Sequence, residues 1–379
     1  MPKSLINKIR RYLKAKSSTE EVRSPLCSES IIFRGELYSF DQLGIHAERL
    51  ALEHQLAFGR AQEQLIPRLE ENEKSLLNTY KLLAAAVKRN RPLAPGAEWL
   101  LDNFYLIEEK IYAARENLPP TYGKNLPRLS SGSAKGLPRV FSLVIELISH
   151  VDGKVDAVSL NGFLESYQRI TPLKLGELWA IPIMMSMALI ENLRCVGERV
   201  ASGYRDQDTA AEWAELMAKV VESNPLDLIL VMADMARADP AMSGAFLAEI
   251  TRHLRGNSPH FSFANGWLEH RVAAKGQTIE QIVQAEGHAQ AADQVSIGNC
   301  ITSLRFLSSN DWRDFVEQHS VVEHILRTDP AGVHGKMNFA TRNQYREVVE
   351  VLARSGNLSE SEIAFRAIQL SAKSKEKYD

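Results

Sequence analysis

The sequence predicts an all-α fold made of two packed helical subdomains. Apolar residues recur at i, i+4, i+7 and i+11 in many segments beyond residue 36, for example in residues 76–87 and 140–151. This spacing returns side chains to one face of a helix. The chain has 21 Gly and 15 Pro among 379 residues, fewer than a turn-rich β protein would use. No series of hairpin-spaced segments alternates strictly between apolar and polar residues, so helices are expected almost throughout.

Helix starts are predicted at two capping boxes. Ser39 is followed three positions later by Gln42, and Ser359 by Glu362. In this motif each side chain satisfies a free amide of the first helical turn. Helices should therefore begin near residues 40 and 360.

Two breaks divide the predicted helices. Residues 117–138 contain four prolines and three glycines, which predicts the longest loop. In residues 201–209 the apolar pattern lapses, which predicts a subdomain boundary. We therefore expect a basic N-terminal tail at 1–35, one helical subdomain at 36–205 and a second at 206–379.

The second subdomain contains a weak internal similarity. Asp239-Pro240-Ala241 and Asp329-Pro330-Ala331 each follow a helical pattern. Asp is a good N-cap and Pro suits the first helical position. Both motifs therefore predict a helix start, although two copies do not establish a repeat protein, and coincidence remains an open explanation.

Charge and cysteine usage narrow the protein class. The net charge of −2 gives no general attraction to nucleic acid, so no nucleic-acid partner is expected. Three scattered cysteines with no CxxC pair argue against a zinc ribbon and a secreted disulfide scaffold, and favour a reducing compartment. The apolar run at residues 178–190 is shorter than the roughly 20 residues that span a bilayer. We interpret it as a buried helix in a cytoplasmic protein.

Motifs for cofactors and metals are weak. The sequence has no GxGxxG, P-loop, GxSxG or HExxH motif, and no cofactor is predicted. Asp206 and Asp208 form an Asp-x-Asp pattern that could hold a divalent cation, but capping in a charged linker is the simpler interpretation. His260, His270 and His288 match no helix-face spacing for a compact metal site. We assign no metal ligands from the sequence.

Carboxylates beside tryptophans suggest one enzymatic alternative. Helical toroids that cleave sugars use two opposed carboxylates in a groove lined by aromatic rings. The candidates are Glu177 beside Trp179, Glu269 beside Trp267, and Asp311 with Asp314 around Trp312. Core tryptophans and solvated acids are the alternative interpretation. The enzyme hypothesis requires two of these acids to face each other at about 5–10 Å.

The N-terminus is strongly basic. Residues 1–19 contain six cationic side chains and no acid, without the apolar core of a signal peptide. One interpretation is a short amphipathic helix that contacts the anionic inner leaflet, since each Lys or Arg near such a surface contributes about 1 kcal/mol. The other is a frayed tail.

Five long stretches of the sequence carry a resemblance to a known family, namely residues 99–111, 177–194, 261–271, 290–307 and 311–353. They resemble the region that precedes the membrane-spanning and transferase segments of bacterial cyclic β-1,2-glucan synthases. Members of this family resemble multidomain inner-membrane enzymes in which a transferase domain extends a β-1,2-glucan from UDP-glucose. The resemblance implies that this chain stops before the transferase, cyclising and phosphorylase-like domains, as a truncated product or a separate subunit. Cys300 and Asn338 depart mildly from the expected Ser and Asp, and no catalytic residue can be transferred.

The expected function is therefore a non-catalytic assembly or interaction module in glucan synthesis, with no activity alone. Its partners would be other domains or subunits of a glucan synthase, with inner-leaflet contact through residues 1–19. The alternatives are a stand-alone helical-toroid enzyme and a free-standing inner-leaflet interaction protein. Asp293, Arg305 and Arg342 are expected to be buried and paired. The full set of interaction or structural candidates is Asp102, Glu108, Trp179, Trp267, Glu269, Asp293, Arg305, Trp312, Asp329 and Arg342.

Overall fold

A computed structural model describes residues 35–57, 64–118, 126–255, 259–356 and 358–378. Within these ranges it contains 15 α-helices and one short strand pair, which confirms the all-α prediction. The predicted amphipathic segment at residues 1–19 lies outside the described residues. The same holds for residues 119–125 of the predicted long loop.

Most of the helices follow one another with short connections. They are α1 (Phe40–Glu53), α2 (Leu65–Lys88), α3 (Pro95–Asp102), α4 (Phe104–Asn117), α5 (Arg139–His150), α6 (Ala157–Gln168), α7 (Leu175–Ser223), α8 (Leu228–Ala238), α9 (Gly244–Leu254), α10 (Ser262–Ala273), α11 (Ile279–Ser309), α12 (Trp312–His319), α13 (Val321–Leu326), α14 (Phe339–Ser355) and α15 (Glu360–Tyr378). Strands β1 (Leu56–Ala57) and β2 (Arg128–Leu129) pair antiparallel. Single 3₁₀ turns occupy Pro225–Asp227, Pro259–Phe261 and His334–Lys336.

Helix α7 is the centre of the fold. Its 49 residues contact α2, α5, α9 and α11. By length and composition α7 could cross a membrane, but 78% of its most apolar window is buried inside the protein, and one such helix is weak support for a span. Residues 178–190, predicted to be a buried helix, belong to this helix, and Leu178, Ile181 and Met184 are fully enclosed.

The predicted break at residues 201–209 is wrong, because α7 continues through it. The polar residues that interrupt the apolar pattern lie on a helical face with polar partners. Asp208 pairs with Arg91, and Ser243 donates to Asp206 Oδ2 at 2.6 Å. Those partners are distant in sequence, so a local pattern cannot reveal them. The division into two subdomains at residue 205 stays a prediction, with its boundary inside a helix.

Both capping boxes are confirmed. Ser39 caps α1 and exchanges hydrogen bonds with Gln42. Ser359 and Glu362 make the same reciprocal contacts at the start of α15. The part of the predicted loop that the structure describes, residues 126–138, is non-helical and includes β2.

Both Asp-Pro-Ala motifs lie between helices, as predicted, but neither aspartate caps the α-helix that follows, so the predicted N-cap role is wrong. Asp239 ends α8 in the left-handed conformation, with φ of 46°, and α9 is capped instead by Ser243. Asp329 follows α13, and its carboxylate accepts hydrogen bonds from the amides of Ala331, Val333 and His334 at 3.2, 3.0 and 3.4 Å. Asp239 thus ends the preceding helix, and Asp329 accepts hydrogen bonds from the loop that follows it. Neither aspartate accepts from the first turn of the next α-helix.

Candidate functional site

The longest stretch that resembles the synthases folds around a buried ion network. We define this network as Glu317, Glu323, Arg327, His334, Arg342 and Arg346. Glu323 and Arg346 are both 0% exposed. Arg346 Nη1 donates to Glu323 Oε2 at 2.6 Å and to Glu317 Oε1 at 3.1 Å. Arg342 Nη2 donates to Glu317 Oε2 at 2.7 Å, and His334 Nε2 lies 3.2 Å from Glu323 Oε2.

The network joins three helices. Glu317 lies on α12, Glu323 on α13, and Arg342 and Arg346 occupy one face of α14 because they are four residues apart. Burial by itself raises the pKa of Glu323, but hydrogen bonds from Arg327, His334 and Arg346 outweigh it and hold that pKa below the usual value. Three arginines surround two glutamates, so each carboxylate has several cationic partners, and the network fixes the packing of α12–α14.

Two predicted residues belong to this region. Arg342 is paired with Glu317 and is mostly enclosed, with a side chain 15% exposed. Asp329 closes the loop that brings His334 to the network. Asn338, where the resemblance led us to expect Asp, caps α14 by accepting from Thr341 N at 2.9 Å. Asp could accept the same bond, which explains why this departure is mild.

A first cleft of about 440 Å³ separates the start of α7 from α14 and α15. Glu177, Glu350 and Glu360 line it. Glu360 Oε2 accepts from Leu175 N at 2.9 Å. Burial raises the pKa of Glu360; the bond from Leu175 opposes this shift, and the charge of Glu350 adds to it. Glu177 is locked in an ion pair with Arg139 and is not available as a free acid.

The acids of the enzyme hypothesis do not come together in either described cleft. Glu269 is exposed on α10. Asp311 is also exposed, and its carboxylate caps α12 by accepting from Arg313 N at 2.9 Å. Neither residue lines the first cleft with Glu177. The described residues therefore give no opposed pair from this set.

A second, polar cleft of about 800 Å³ lies between α3, α7, α9 and α11. Asp293 lines it and is 5% exposed. As expected, it is buried and paired: Arg199 Nη2 donates to Asp293 Oδ1 at 2.9 Å. Tyr204, whose hydroxyl accepts from Ala94 N at 2.7 Å, is an aromatic residue in the lining.

Arg305 corrects another expectation. It is exposed, and Arg305 Nη2 donates to the amide oxygen of Asn103 at 2.5 Å instead of pairing with an acid. Its neighbours Leu304 and Leu307 face the core. On a helix this turns position 305 towards solvent, since successive side chains are about 100° apart.

The remaining candidates are partly buried or exposed. Trp179 packs edge-on against Phe339, with ring centroids 6.4 Å apart. Trp312 Nε1 donates to Leu307 O at 2.9 Å, and Arg271 lies over the ring of Trp267. Asp102 and Glu108 are exposed. These placements do not test a role in interaction.

Helix α14 also presents an apolar surface that the motif analysis missed. We call it the α14 apolar face and define it as Tyr345, Val348 and Leu352, which are 49%, 57% and 52% exposed. Their spacing of three and four residues places them on one side of the helix. Val349 and Arg346 occupy the buried side. The signal in the sequence is the helical spacing of these three apolar residues.

A histidine and carboxylate cluster was missed as well. His46, Glu146 and His150 place one ligand atom each within 4.8 Å of one another, and they are the group in the described part of the chain that could hold a metal ion. Glu146 and His150 have helical i, i+4 spacing, but His46 lies 100 residues away. Only the folded contact between α1 and α5 brings the three together.

Comparison with known proteins supports the resemblance. No protein-family model matches the chain. The chain is 32% identical over 304 residues to the cyclic beta-(1,2)-glucan synthase NdvB of Rhizobium meliloti (strain 1021). The match covers 80% of this chain and 10% of that synthase. The chain is thus similar to one segment of a cyclic β-(1,2)-glucan synthase, as its sequence stretches predicted, and spans about a tenth of that protein's length.

Proposed function

We propose that this chain is a non-catalytic helical module of a cyclic β-1,2-glucan synthase-like glycosyltransferase and serves its assembly. The observation that carries the proposal is the match of 80% of the chain to a tenth of one such synthase. The stretch with the longest resemblance holds a charge network that is closed to solvent at Glu323 and Arg346. Both glutamates of the network are held by several arginines and are not free to act as acid or base, which supports a structural role.

The α14 apolar face is the surface we assign to assembly. Its three large side chains lie next to one another and remain about half exposed in the isolated chain. Contiguous exposed apolar patches mark interaction sites more often than scattered ones do. The partner we expect is another domain or subunit of the glucan synthase. It would cover Tyr345, Val348 and Leu352 and leave the ion network behind them undisturbed.

Co-purification tests this assignment. The tagged chain would be co-expressed with a cyclic β-1,2-glucan synthase that lacks the matching segment. A Val348→Asp, Leu352→Asp variant should lose the partner, because two charges would have to be buried in the interface. Val295→Asp on α11, where Val295 is 56% exposed, is the matched control.

The control should retain the partner. Failure of the wild-type chain to co-purify, or equal retention by both variants, would contradict the assembly role. Circular dichroism of each variant establishes that its helices are intact, so that a loss of binding is not a loss of fold.

Catalysis by the isolated chain is tested separately. Purified protein incubated with UDP-glucose, or with short β-1,2-glucans, should show no sugar turnover. The acid set of the toroid hypothesis, Glu177, Glu269 and Asp311, is not gathered in a described cleft. Turnover above a heat-denatured sample would replace the assembly proposal with the enzymatic one.

We further propose a cytoplasmic location with peripheral contact to the inner membrane through residues 1–19. Their six cationic side chains support this contact. Flotation with anionic liposomes should recover the full chain, and deletion of residues 1–19 should abolish recovery. Equal flotation of both proteins would contradict the membrane contact.

A further inference from the structure

We propose that His46, Glu146 and His150 form a binding site for Zn²⁺. The site lies between α1 and α5, away from the α14 apolar face, and is independent of the assembly role. Two imidazoles and one carboxylate are a ligand set that zinc accepts, with a fourth position left for water.

The three ligand atoms have distances close to those a zinc ion requires. His46 Nε2 lies 2.9 Å and His150 Nε2 3.7 Å from the same oxygen, Glu146 Oε2. The three ligand atoms all fall within 4.8 Å of one another. Ligands at 2.0–2.1 Å in a tetrahedral site are about 3.4 Å apart. Small side-chain shifts would therefore complete the geometry.

His150 is held in the orientation of a metal ligand. Its Nδ1 lies 2.7 Å from the carbonyl oxygen of Glu36 and donates to it, which leaves a lone pair on Nε2 facing Glu146. A ligating histidine typically donates its other ring N–H to a carbonyl or carboxylate in this way. The contact thus sets the tautomer that zinc needs.

A short segment, residues 35–38, fixes that ring. Tyr38 stacks on His150 at a centroid distance of 3.9 Å and an angle of 6°. Gly35 N donates to Ser149 O at 3.2 Å and Tyr38 N to His150 O at 3.0 Å. A Cβ at Gly35 would lie 2.8 Å from the His150 ring. This position therefore needs glycine, and the ring has little freedom to turn away.

His46 carries a proton that zinc must displace. Arg49 Nη2 lies 2.9 Å from His46 Nδ1. Because arginine only donates hydrogen bonds, Nδ1 accepts, and the ring proton sits on Nε2 and is donated to Glu146. On zinc binding this Nε2 proton leaves to solvent, Nδ1 takes one up, and Arg49 moves away. Arg49 is 60% exposed, so this movement is unhindered.

The histidines of the site are largely buried, whereas its carboxylate is partly exposed to solvent. The side chains of His46 and His150 are 5% and 13% exposed, whereas that of Glu146 is 33% exposed. The imidazoles are thus shielded from competing solvent, while the carboxylate side is open for metal entry and for a water ligand. Removal of Arg49 should favour zinc, since it takes away both the competing hydrogen bond and a positive charge.

Zinc titration of the EDTA-treated, dialysed full chain tests the proposal. Competition with a chromophoric zinc chelator should give one zinc per chain, and zinc should raise the melting temperature. His46→Gln and His150→Gln should each lower affinity by more than the 10–100-fold typical of outer-shell partners. His288→Ala, which removes an exposed histidine from α11, should leave affinity unchanged.

Arg49→Gln separates a metal site from a purely structural hydrogen-bonded cluster. If the proton on His46 competes with zinc, this variant should bind zinc about tenfold more tightly, because the hydrogen bond from Arg49 no longer has to be broken. Absence of stoichiometric zinc in the wild-type chain would overturn the site. Equal affinities of His150→Gln and His288→Ala would do so as well, and an Arg49→Gln variant that binds no tighter would overturn the tautomer step.

Discussion

Arg139 and Glu177 form a buried ion pair that joins the start of α5 to the first turn of α7. Arg139 Nε donates to Glu177 Oε1 at 2.9 Å, and its Nη2 donates to the other carboxylate oxygen. Pro172 O accepts from Arg139 at 3.2 Å, and Lys174 N donates to Glu177 at 3.0 Å. Burial alone would lower the pKa of Arg139, but the hydrogen bond and charge of Glu177 raise it overall.

Arg139→Met should destabilise the protein by about 3–5 kcal/mol, because Glu177 would remain as a buried, unpaired charge. The double variant Arg139→Met, Glu177→Leu should recover most of that loss, since an apolar pair of similar volume avoids the desolvation cost. Urea unfolding followed by circular dichroism measures both. A double variant no more stable than Arg139→Met would show that the cost lies in packing.

Arg346→Met tests the ion network in the same way. Arg346 is enclosed and donates to both Glu317 and Glu323, so its loss removes two hydrogen bonds between charged groups and should cost about 2–4 kcal/mol, with Arg327 and Arg342 still pairing both acids. Arg237→Met is the matched control on α8. Arg237 is 71% exposed and pairs with Asp234 on its own helix, and its loss should change stability by less than about 1 kcal/mol. Similar losses in both variants would contradict a structural role for the network.

The helical fold was predictable because it is encoded locally. The 3.6-residue spacing and the capping boxes at Ser39 and Ser359 depend on residues within one or two turns. The error at residues 201–209 arose because the partners of its polar side chains are distant in sequence. Asp206 and Asp208 interrupt the apolar pattern, yet Ser243 and Arg91 satisfy them in the folded protein. A pattern read along the chain assigns such residues to a linker.

The environment of a charged candidate residue was predicted correctly from the sequence only where that residue is both buried and paired. Asp293 fits this rule. Arg305 does not, since the helical phase set by Leu304 and Leu307 turns it outward. The cluster of His46 with Glu146 and His150 could not be found from spacing, because it depends on two helices meeting.

Glu360→Gln should make stability less dependent on pH. The pKa of Glu360 is raised by burial, so the folded state favours the protonated carboxyl. The stabilisation from protonated Glu360 is fully present below its pKa in the unfolded chain. It is lost as the pH rises through the higher pKa of Glu360 in the folded protein. The Gln side chain does not ionise and can still accept from Leu175. The variant should therefore be more stable than wild type at pH 8 and equal to it near pH 4.

Glu362→Gln is the control with the opposite sign. Hydrogen bonds from the Ser359 backbone and side chain lower the pKa of Glu362. Its contribution is present above the unfolded pKa and is lost as pH falls through the folded value. Denaturant midpoints of both variants between pH 4 and 8 measure the two trends. If the stability of both variants changed with pH in the same way, the opposite pKa shifts of Glu360 and Glu362 would be contradicted.

Gly153→Ala should destabilise the protein through both backbone and packing. Gly153 has φ of +74°, and an added Cβ would lie 2.6 Å from Cys300 Sγ. Gly132 has φ of +81° with open space around it, so Gly132→Ala reports the backbone cost alone, about 1–2 kcal/mol. Gly153→Ala should cost about 1–3 kcal/mol more, because the added methyl overpacks the contact.

The same contact predicts that position 300 accommodates only a small side chain. Adding Cys300→Ala to Gly153→Ala removes Sγ and should recover most of the packing cost, which a double-mutant cycle of unfolding free energies measures. Cys300→Ala alone removes the sulfur that accepts from Asn192 Nδ2 at 3.3 Å and should be destabilising by itself. Strictly additive losses in the double variant would mean that Gly153 is required for its backbone conformation and not for the approach of Cys300.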